Sequence, residues 1–513
     1  MPLSFKSSKG RVVIVCLRAL WVCVTLWYEY AVFRYSAGKC TWADMDTSLQ
    51  DQKHVLLVAD PQIIDHHSYP GRPALLKYLS QLIVDLNLRK NWQAALRSAP
   101  DVVFFLGDYM DSGRNVMSDA EYERYVKRFR QIFSMPSEIP AYFIPGNHDV
   151  GLQPSTMFSP HARTRYTSRF GPLNSHVSIA NHTFVLIDAP GLVEEDYKRH
   201  GLGRTYAEWK PDREGTISFV KSFAAKGITE PTILLSHIPL SRPEGSNCGP
   251  LRERGTIRRG VGVGYQNTLG KDSSTFLLEH VQPTLIFSGD DHDYCEYTHT
   301  SSTGSRIREV TVKSLSMAMG IKKPGYQMLT IIPPGGPTSS YSDSPCFLPD
   351  QLGIYLDVYI PLALGSLLVV LVLCIIRGRH HRQWKFRPLV TKRRSRESIR
   401  LLKPQHLRRL TRTRIVTDDY EFTLDDSDTD QKLPLPASAT VPAPPKKRKI
   451  LITLFSPIQR LSQLVSLRSF TRAVITSNRR GSFLGEFLRD VRDVAVFPLG
   501  MIILISLWTS LDL

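Results

Sequence analysis

Six short, β-favouring apolar runs recur along the first 290 residues of this 513-residue chain, and nearly every one ends in a residue able to hold a metal ion. The runs are HVLLVA (54–59), DVVFFLG (101–107), AYFIPG (141–146), FVLIDA (184–189), TILLSH (232–237) and TLIFSG (284–289). Each has strand length and is bounded by polar residues or glycine. Helical spacing lies between the first two runs (Leu75, Leu76, Leu79, Leu82, Ile83, Leu86) and again over 119–133 and 213–226. Strands alternating with helices predict an α/β layered domain. In such a domain the carboxyl ends of the strands converge on one edge, where ligands bind.

The residues delivered to that edge are Asp60 and Gln62, Asp108 and Asp111, Asn147, His148 and Asp149, His237, and Asp290 and His292. Carboxylates, imidazoles and an amide oxygen suit divalent cations. Two cations about 3.5–4 Å apart form a recurring device for hydrolysing phosphate esters. Any one of these residues alone has an ordinary explanation, because aspartate at a strand end is a common turn former.

The order of motifs, D-x-[H/Q], G-D-x-x-D, G-N-H-D, a lone His after an apolar run and G-x-x-H, resembles the calcineurin-like metallophosphoesterases. The resemblance implies a layered β-sandwich flanked by helices and a centre of two divalent metal ions. It implies that Asp108 bridges the ions, that Asp60 and His292, with Gln62, complete the first, and that Asn147, His237 and Asp290 complete the second. His148 is expected to face the phosphate and protonate the leaving oxygen. Asp111 is expected to hold the His148 ring in the right tautomer and raise its pKa. Asp149 reads equally as a support for this loop or as a turn residue.

Two departures stand out. Most members of the family carry D-x-H first and G-H-x-H last; this chain has Asp60-Pro61-Gln62 and Gly289-Asp290-Asp291-His292. Three carboxylates and an imidazole in Asp290–Asp293 repel one another unless a positive partner sits among them. A metal ligated by Asp290 is that partner in this reading, and Asp291 and Asp293 are supporting or solvated groups. Oxygen in place of nitrogen at both positions favours Mn²⁺, or Mg²⁺ or a mixed pair, over Zn²⁺. It also puts Gln62 in doubt as a direct ligand. Arg114 and Arg252 read either as holders of the phosphate or another part of the substrate, or as structural arginines. A cationic group on a substrate would sit against Tyr294 and Tyr297, or against Asp291 and Asp293.

Apolar segments bracket the domain. Residues 12–33 are long enough to span a bilayer and follow Lys6, Lys9 and Arg11, which places the N-terminus in the cytoplasm. A cleaved signal peptide is the competing reading, but no small-residue cleavage site stands out. Residues 358–376 carry no charge and run straight into a basic block. The net charge of +18 is concentrated there: Arg377–Val416 holds fifteen Lys/Arg against one acidic residue, Glu397. A solvated tail marking the cytoplasmic side accounts for this better than nucleic-acid binding does. The expected organisation is a cytoplasmic N-terminus (1–11), a transmembrane helix (12–33), a luminal domain (34–352), a second helix (353–376) and a largely disordered cytoplasmic tail (377–493). Residues 494–511 read as a third span, or as a re-entrant or interfacial segment, and 450–470 as a membrane-surface stretch. Asn181-His182-Thr183 is a luminal glycosylation acceptor. Cys40, Cys248, Cys295 and Cys346 would be luminal. They allow three disulfide connectivities, with Cys248–Cys295 and Cys40–Cys346 preferred over free thiols.

The motifs ADPQ, CGPLRE (248–253) and SGDDHDYC, set between two spans, are similar to the fungal membrane phosphoesterases that remodel GPI anchors, relatives of the animal post-GPI-attachment ethanolamine-phosphate phosphoesterase. This resemblance covers residues 10–376. It implies removal of an ethanolamine-phosphate branch from a mannose of the GPI glycan in the ER membrane, with cycling to the Golgi. GPI-anchored proteins are then substrates, and membrane lipids and cargo receptors are partners. The alternatives are a luminal phosphoesterase for nucleotides or lipid headgroups, and a non-catalytic cargo-export adaptor that keeps the fold.

Overall fold

The computed structural model describes residues 5–43, 52–152, 157–334, 340–385 and 483–511. The greater part of the basic and acidic tail, including 450–470, lies outside them. The chain forms a larger unit, Met1–Ile375 with Glu486–Leu513, and a second, Ile376–Gly485; the domain and site below belong to the first.

Thirteen strands are present among the described residues: β1 (Lys53–Val58), β2 (Val102–Phe105), β3 (Ala141–Phe143), β4 (Ser175–Ile179), β5 (His182–Leu186), β6 (Thr232–Leu235), β7 (Val261–Gly262), β8 (Tyr265–Gln266), β9 (Leu285–Ser288), β10 (Cys295–Thr300), β11 (Arg306–Thr311), β12 (Gly325–Ile331) and β13 (Tyr341–Phe347). They form a five-stranded sheet ordered β13-β12-β1-β2-β3, a six-stranded sheet ordered β10-β11-β9-β6-β5-β4, and the small hairpin β7-β8. The six runs read from sequence are β1, β2, β3, β5, β6 and β9. Within each sheet they lie parallel: β1 with β2, β2 with β3, β5 with β6, and β6 with β9.

Burial on both faces explains why these strands are continuous apolar runs. Val55, Leu57, Phe104 and Leu106 face Phe184, Leu235 and Phe287 between the sheets. The Phe104 and Phe184 rings stack 4.7 Å apart across that layer. The alternate residues Leu56, Val58, Val103 and Phe105 pack outward under helices Ala74–Leu96 and Asp119–Ile132. Val185, Leu234 and Ile286 pack outward under helices Ala189–Gly201, Thr216–Ala224 and Lys271–Val281. The result is a helix–sheet–sheet–helix sandwich.

Among the described residues, three helices are long and apolar enough to cross a membrane: Gly10–Ala37, Gln351–Gly378 and Phe483–Thr509. The first two each pass through a π-helical stretch, Trp27–Ala31 and Ile354–Tyr359. There a buried polar cluster joins them to the sandwich. Lys90 Nζ donates to Glu29 Oε2 and to Gln351 Oε1, both at 2.7 Å, and Tyr359 donates its hydroxyl to Glu29 Oε1 at 2.8 Å. Two disulfides form, Cys40–Cys346 and Cys248–Cys295. The first joins the segment after the N-terminal helix to β13, just before the second apolar helix. Asn181 is exposed at the turn between β4 and β5.

Candidate metal centre

The parallel strands end together, and the chain turns sharply at each end. Asp60, Gln62, Asp108, Asp290 and His292 all have positive φ, between 31° and 67°. Non-glycine residues adopt that region at a cost and concentrate at functional sites. Here the turn lifts each side chain off its strand and into the common edge. Gly107 and Gly146 lie beneath: a Cβ at Gly146 would sit 2.1 Å from Asp108 Oδ1, and one at Gly107 2.5 Å from His237 Nδ1. Close approach of backbone to these side chains therefore requires glycine at both positions.

His237 is the hub. It is fully buried, and its Nδ1 lies 2.7 Å from the Leu106 carbonyl. Donation from Nδ1 leaves the Nε2 lone pair facing the cluster. Around Nε2 stand Asn147 Oδ1 at 3.1 Å, Asp108 Oδ1 at 3.4 Å and Asp290 Oδ1 at 3.4 Å. Three oxygens converging on one nitrogen cannot all be satisfied by a single proton. They make an O₃N donor set of the kind a hard divalent cation takes. Asn147 is oriented by its amide nitrogen, which donates to the Gly264 carbonyl at 2.8 Å and leaves Oδ1 for the cluster.

Asp60 lies on the other side of His237, 3.9 Å from Nδ1. It is fully buried, its Oδ1 accepts from the Asp290 amide at 3.1 Å, and its Oδ2 has no partner. A buried carboxylate oxygen with no donor is costly, and a cation would satisfy it. Ligand atoms of Asp60, Asp108 and His237 lie within 4.8 Å of one another. Burial raises the Asp60 pKa well above the carboxylate range, and the charges of Asp108 and Asp290 push it further up. Burial also acts to raise Asp108, but the charges of His237 and His148 hold it below its ordinary value. For His237, burial alone would lower the pKa; the Asp108 charge and hydrogen bond raise it instead. Burial lowers the pKa of His292, against the upward pull of Asp290 and Asp108.

Gln62 donates its amide nitrogen to Asp108 Oδ2 at 2.8 Å. It thus stands in the site as a donor to the central carboxylate. His148 is half-buried, and its backbone amide donates to Asp108 Oδ1 at 2.8 Å. Its Nδ1 lies 2.5 Å from the backbone carbonyl of Asp111, with the Asp111 carboxylate at 3.7 Å. The nearest atom orienting the ring is therefore the carbonyl, not the carboxylate that sequence reasoning named. That carboxylate instead accepts from the Ser68 hydroxyl. Asp149 accepts from the amides of Asp108, Tyr109 and Gly146 at 2.7–3.0 Å and so pins the turn that presents Asp108. Burial and the Asp108 charge push its pKa up to about 7.

The remaining carboxylates of the acidic run have partners within the chain and are not solvated. Asp291 pairs with Arg252, and Asp293 accepts from Lys313 Nζ at 2.9 Å. Arg114 donates to the carbonyls of Asn147 and Gly264 at 3.1 and 2.7 Å and lies over the Phe158 ring. Sequence reasoning missed Ser68, Gly264 and Leu106. Two of these act through backbone carbonyls, which no residue type signals, and Ser68 lies in a loop without a motif.

A sandwich that gathers carboxylates, an amide and imidazoles where its parallel strands end, around an oxygen no protein group satisfies, defines a metal-dependent phosphoesterase. The chain belongs to the calcineurin-like phosphoesterase family, whose model matches residues 53–294. It is 36% identical over 351 residues to Cell division control protein 1 of Saccharomyces cerevisiae, covering 64% of this chain and 68% of that protein. It is 28% identical over 375 residues to Metallophosphoesterase 1 of Ailuropoda melanoleuca, covering 70% and 88%. Among solved structures, a dimetal phosphatase from Danio rerio aligns at 15% identity and TM-score 0.33, covering 58% of this chain and 99% of its own.

Proposed function

We propose that the chain is a membrane-borne phosphodiesterase that removes ethanolamine phosphate from a mannose of the GPI glycan in the ER, supporting export of GPI-anchored proteins. The observation that carries this reading is that Gln62, bonded to Asp108, and Asp290, beside His237, both stand in one site; they are the two departures that make the chain similar to GPI-remodelling phosphoesterases. The Lys90–Glu29 junction, which attaches the sandwich to apolar helices, supports a substrate held in the same membrane. The two disulfides and the exposed Asn181 support a luminal placement of residues 34–352. The helix Phe483–Thr509 supports a third span.

In this reading Asp108, Asp290, Asn147 and His237 would hold one cation, and Asp60 and His292, together with Asp108, would hold the other. Gln62 acts on Asp108. The oxygen-rich donor set favours Mn²⁺ or Mg²⁺. Cations held there would supply a lowered pKa for water and countercharge for the phosphate oxygens. Water adds to phosphorus and gives up a proton, the phosphorus–oxygen bond to mannose breaks, and His148 gives that oxygen a proton that the one released by water replaces. The products are ethanolamine phosphate and a free mannose hydroxyl. The Asp111 carbonyl and the Asp108 carboxylate fix His148 through its ring and its amide.

Mass spectrometry of GPI glycans tests this in cells lacking the protein and rescued with wild type or His148→Ala. An extra ethanolamine phosphate on one mannose, cleared by wild type alone, is the expected result and identifies the mannose. Unchanged glycans would leave a phosphoesterase acting on another luminal substrate. Clearance by His148→Ala would point to an adaptor.

A further inference from the structure

Helix Ala74–Leu96 has two apolar faces, and over its first half the fold covers only one of them. At 100° per residue, Leu88, Asn91, Trp92 and Ala95 share the face packed against the first sheet. Leu75, Leu76, Leu79, Leu82 and Ile83 lie on the opposite face and are 68%, 51%, 39%, 42% and 38% exposed. Soluble monomers rarely expose so continuous an aliphatic strip, and one of this kind marks an interaction surface.

The rest of the same face shows what covers it. Continuing at helical spacing, the strip leads to Lys90 and Gln93. Lys90 contacts Glu29 and Gln351, and Gln93 donates to the Thr509 carbonyl at 2.5 Å. Glu29, Gln351 and Thr509 belong to the three helices long enough to cross a bilayer. Glu29 lies about 28 Å along its helix from Gly10 at 1.5 Å per residue, near the far edge of a hydrocarbon core about 30 Å thick. One face therefore meets the membrane helices at their domain-side ends and carries bare leucine where those helices stop. Tyr69 and Tyr78 are exposed beside it, Arg72 lies over the Tyr69 ring, and Lys77 reaches back to the His66 carbonyl. Aromatic and basic residues flanking an aliphatic face are the composition of a helix lying in a bilayer interface.

We infer that Leu75–Ile83 inserts into the lipid leaflet on the side of the sandwich, so that the domain rests on the membrane as well as being tethered to it. The partner is the hydrocarbon of the bilayer itself. The loop entering this helix reaches the metal centre, since Ser68 donates to the Asp111 carboxylate and the Asp111 carbonyl orients His148. The contact sets the site beside the leaflet and holds for whatever phosphoester is cleaved.

The test uses the full chain in phosphatidylcholine vesicles, with a diazirine amino acid at position 79 or, as control, at position 127 on the exposed face of helix Asp119–Ile132. At least tenfold more phosphatidylcholine adduct at 79 than at 127 is expected. Equal adduct at both positions, or in native membranes a polypeptide adduct at 79 in place of lipid, would overturn the proposal. A second arm needs activity: Leu79→Glu with Ile83→Glu should slow hydrolysis of a lipid-linked aryl phosphodiester at least tenfold and leave a soluble one unchanged. Unchanged rates on both substrates would also overturn it. Failure of the GPI reading would leave the lipid adduct intact.

Discussion

Two buried charge clusters hold this molecule's working parts, and they are built to opposite rules. At the membrane junction Lys90 faces Glu29, and both Glu29 oxygens are bonded, one by Lys90 and one by Tyr359. The pair is neutral within the chain. At the strand ends Asp60, Asp108 and Asp290 surround one buried imidazole, and an Asp60 oxygen has no donor at all. That cluster is neutral only with cations from outside. The difference is one of charge balance: the junction supplies its own cation, and the strand ends do not. A pair that closes on itself fixes geometry; a cluster that cannot close awaits a ligand.

The largest test of the contrast is Asp108→Asn. Replacing the carboxylate shared by both halves of the site should lower kcat/KM on an aryl phosphodiester by about 10³-fold, about 4 kcal/mol at 1.4 kcal/mol per decade. Bound divalent cation, measured by elemental analysis, should fall with it. Retained activity with reduced metal content would break the comparison at its functional end.

Next in size is Lys90→Met, which leaves Glu29 buried without its cation. Breaking a buried pair costs about 3–5 kcal/mol, and the Tyr359 bond should keep the loss near the lower end. The expected readout is a clear drop in apparent Tm of the full chain in detergent or nanodiscs, with metal content unchanged. Lys90→Met combined with Glu29→Leu should recover most of it. A double variant as unstable as the single would mean that the pair is more than a self-closing clamp.

A further closed cluster sharpens the rule through pH. Glu309 is fully buried and accepts from Arg242 at 2.8 Å, Ser288 at 2.7 Å and the Leu240 amide at 3.1 Å, with His299 Nε2 at 2.6 Å. Burial would raise its pKa, but the Arg242 charge and the His299 bond lower it to about 2. A depressed carboxylate stabilises the fold above its unfolded value, and that stability is lost as pH falls from about 4.5 towards about 2. The loss is at most about 3 kcal/mol, at 1.36 kcal/mol per unit. Glu309→Gln should show a flatter decline in Tm across that window than wild type; parallel declines would exclude Glu309 as the source.

The sequence exposed some of this design and hid the rest for physical reasons. The parallel strands are buried on both faces and so appear as unbroken apolar runs, whereas β10 (CEYTHT) and β13 (YSDSPCF) interleave polar residues and escape notice. The leucine spacing at 75–86 located a helix, but the face it marks is the exposed one; the packed face carries Asn87, Asn91 and Trp92. The candidate ligands are legible in the sequence because each lies within four residues of the end of an apolar strand. The partners of Lys90 are not, since they lie 61 and 261 residues away and nothing local links them.

The smallest predicted effect is the one that separates the two cluster types most cleanly, because its sign should reverse. Asp60→Asn keeps the shape of the side chain, and its Oδ1 can still accept from the Asp290 amide. In the cation-free protein the change removes one of three mutually repelling carboxylates, the one whose pKa burial already raises most plainly. Chelated Asp60→Asn should therefore be more stable than chelated wild type, by about 1–2 kcal/mol, the scale of an unsatisfied buried polar group. With Mn²⁺ in excess the order should invert, because wild type gains binding energy that the variant cannot. Thermal melts of both proteins with chelator and with Mn²⁺ measure the four values. A variant less stable than wild type under both conditions would mean that the Asp60 carboxylate is satisfied within the fold, like Glu29, and that the site closes without a cation.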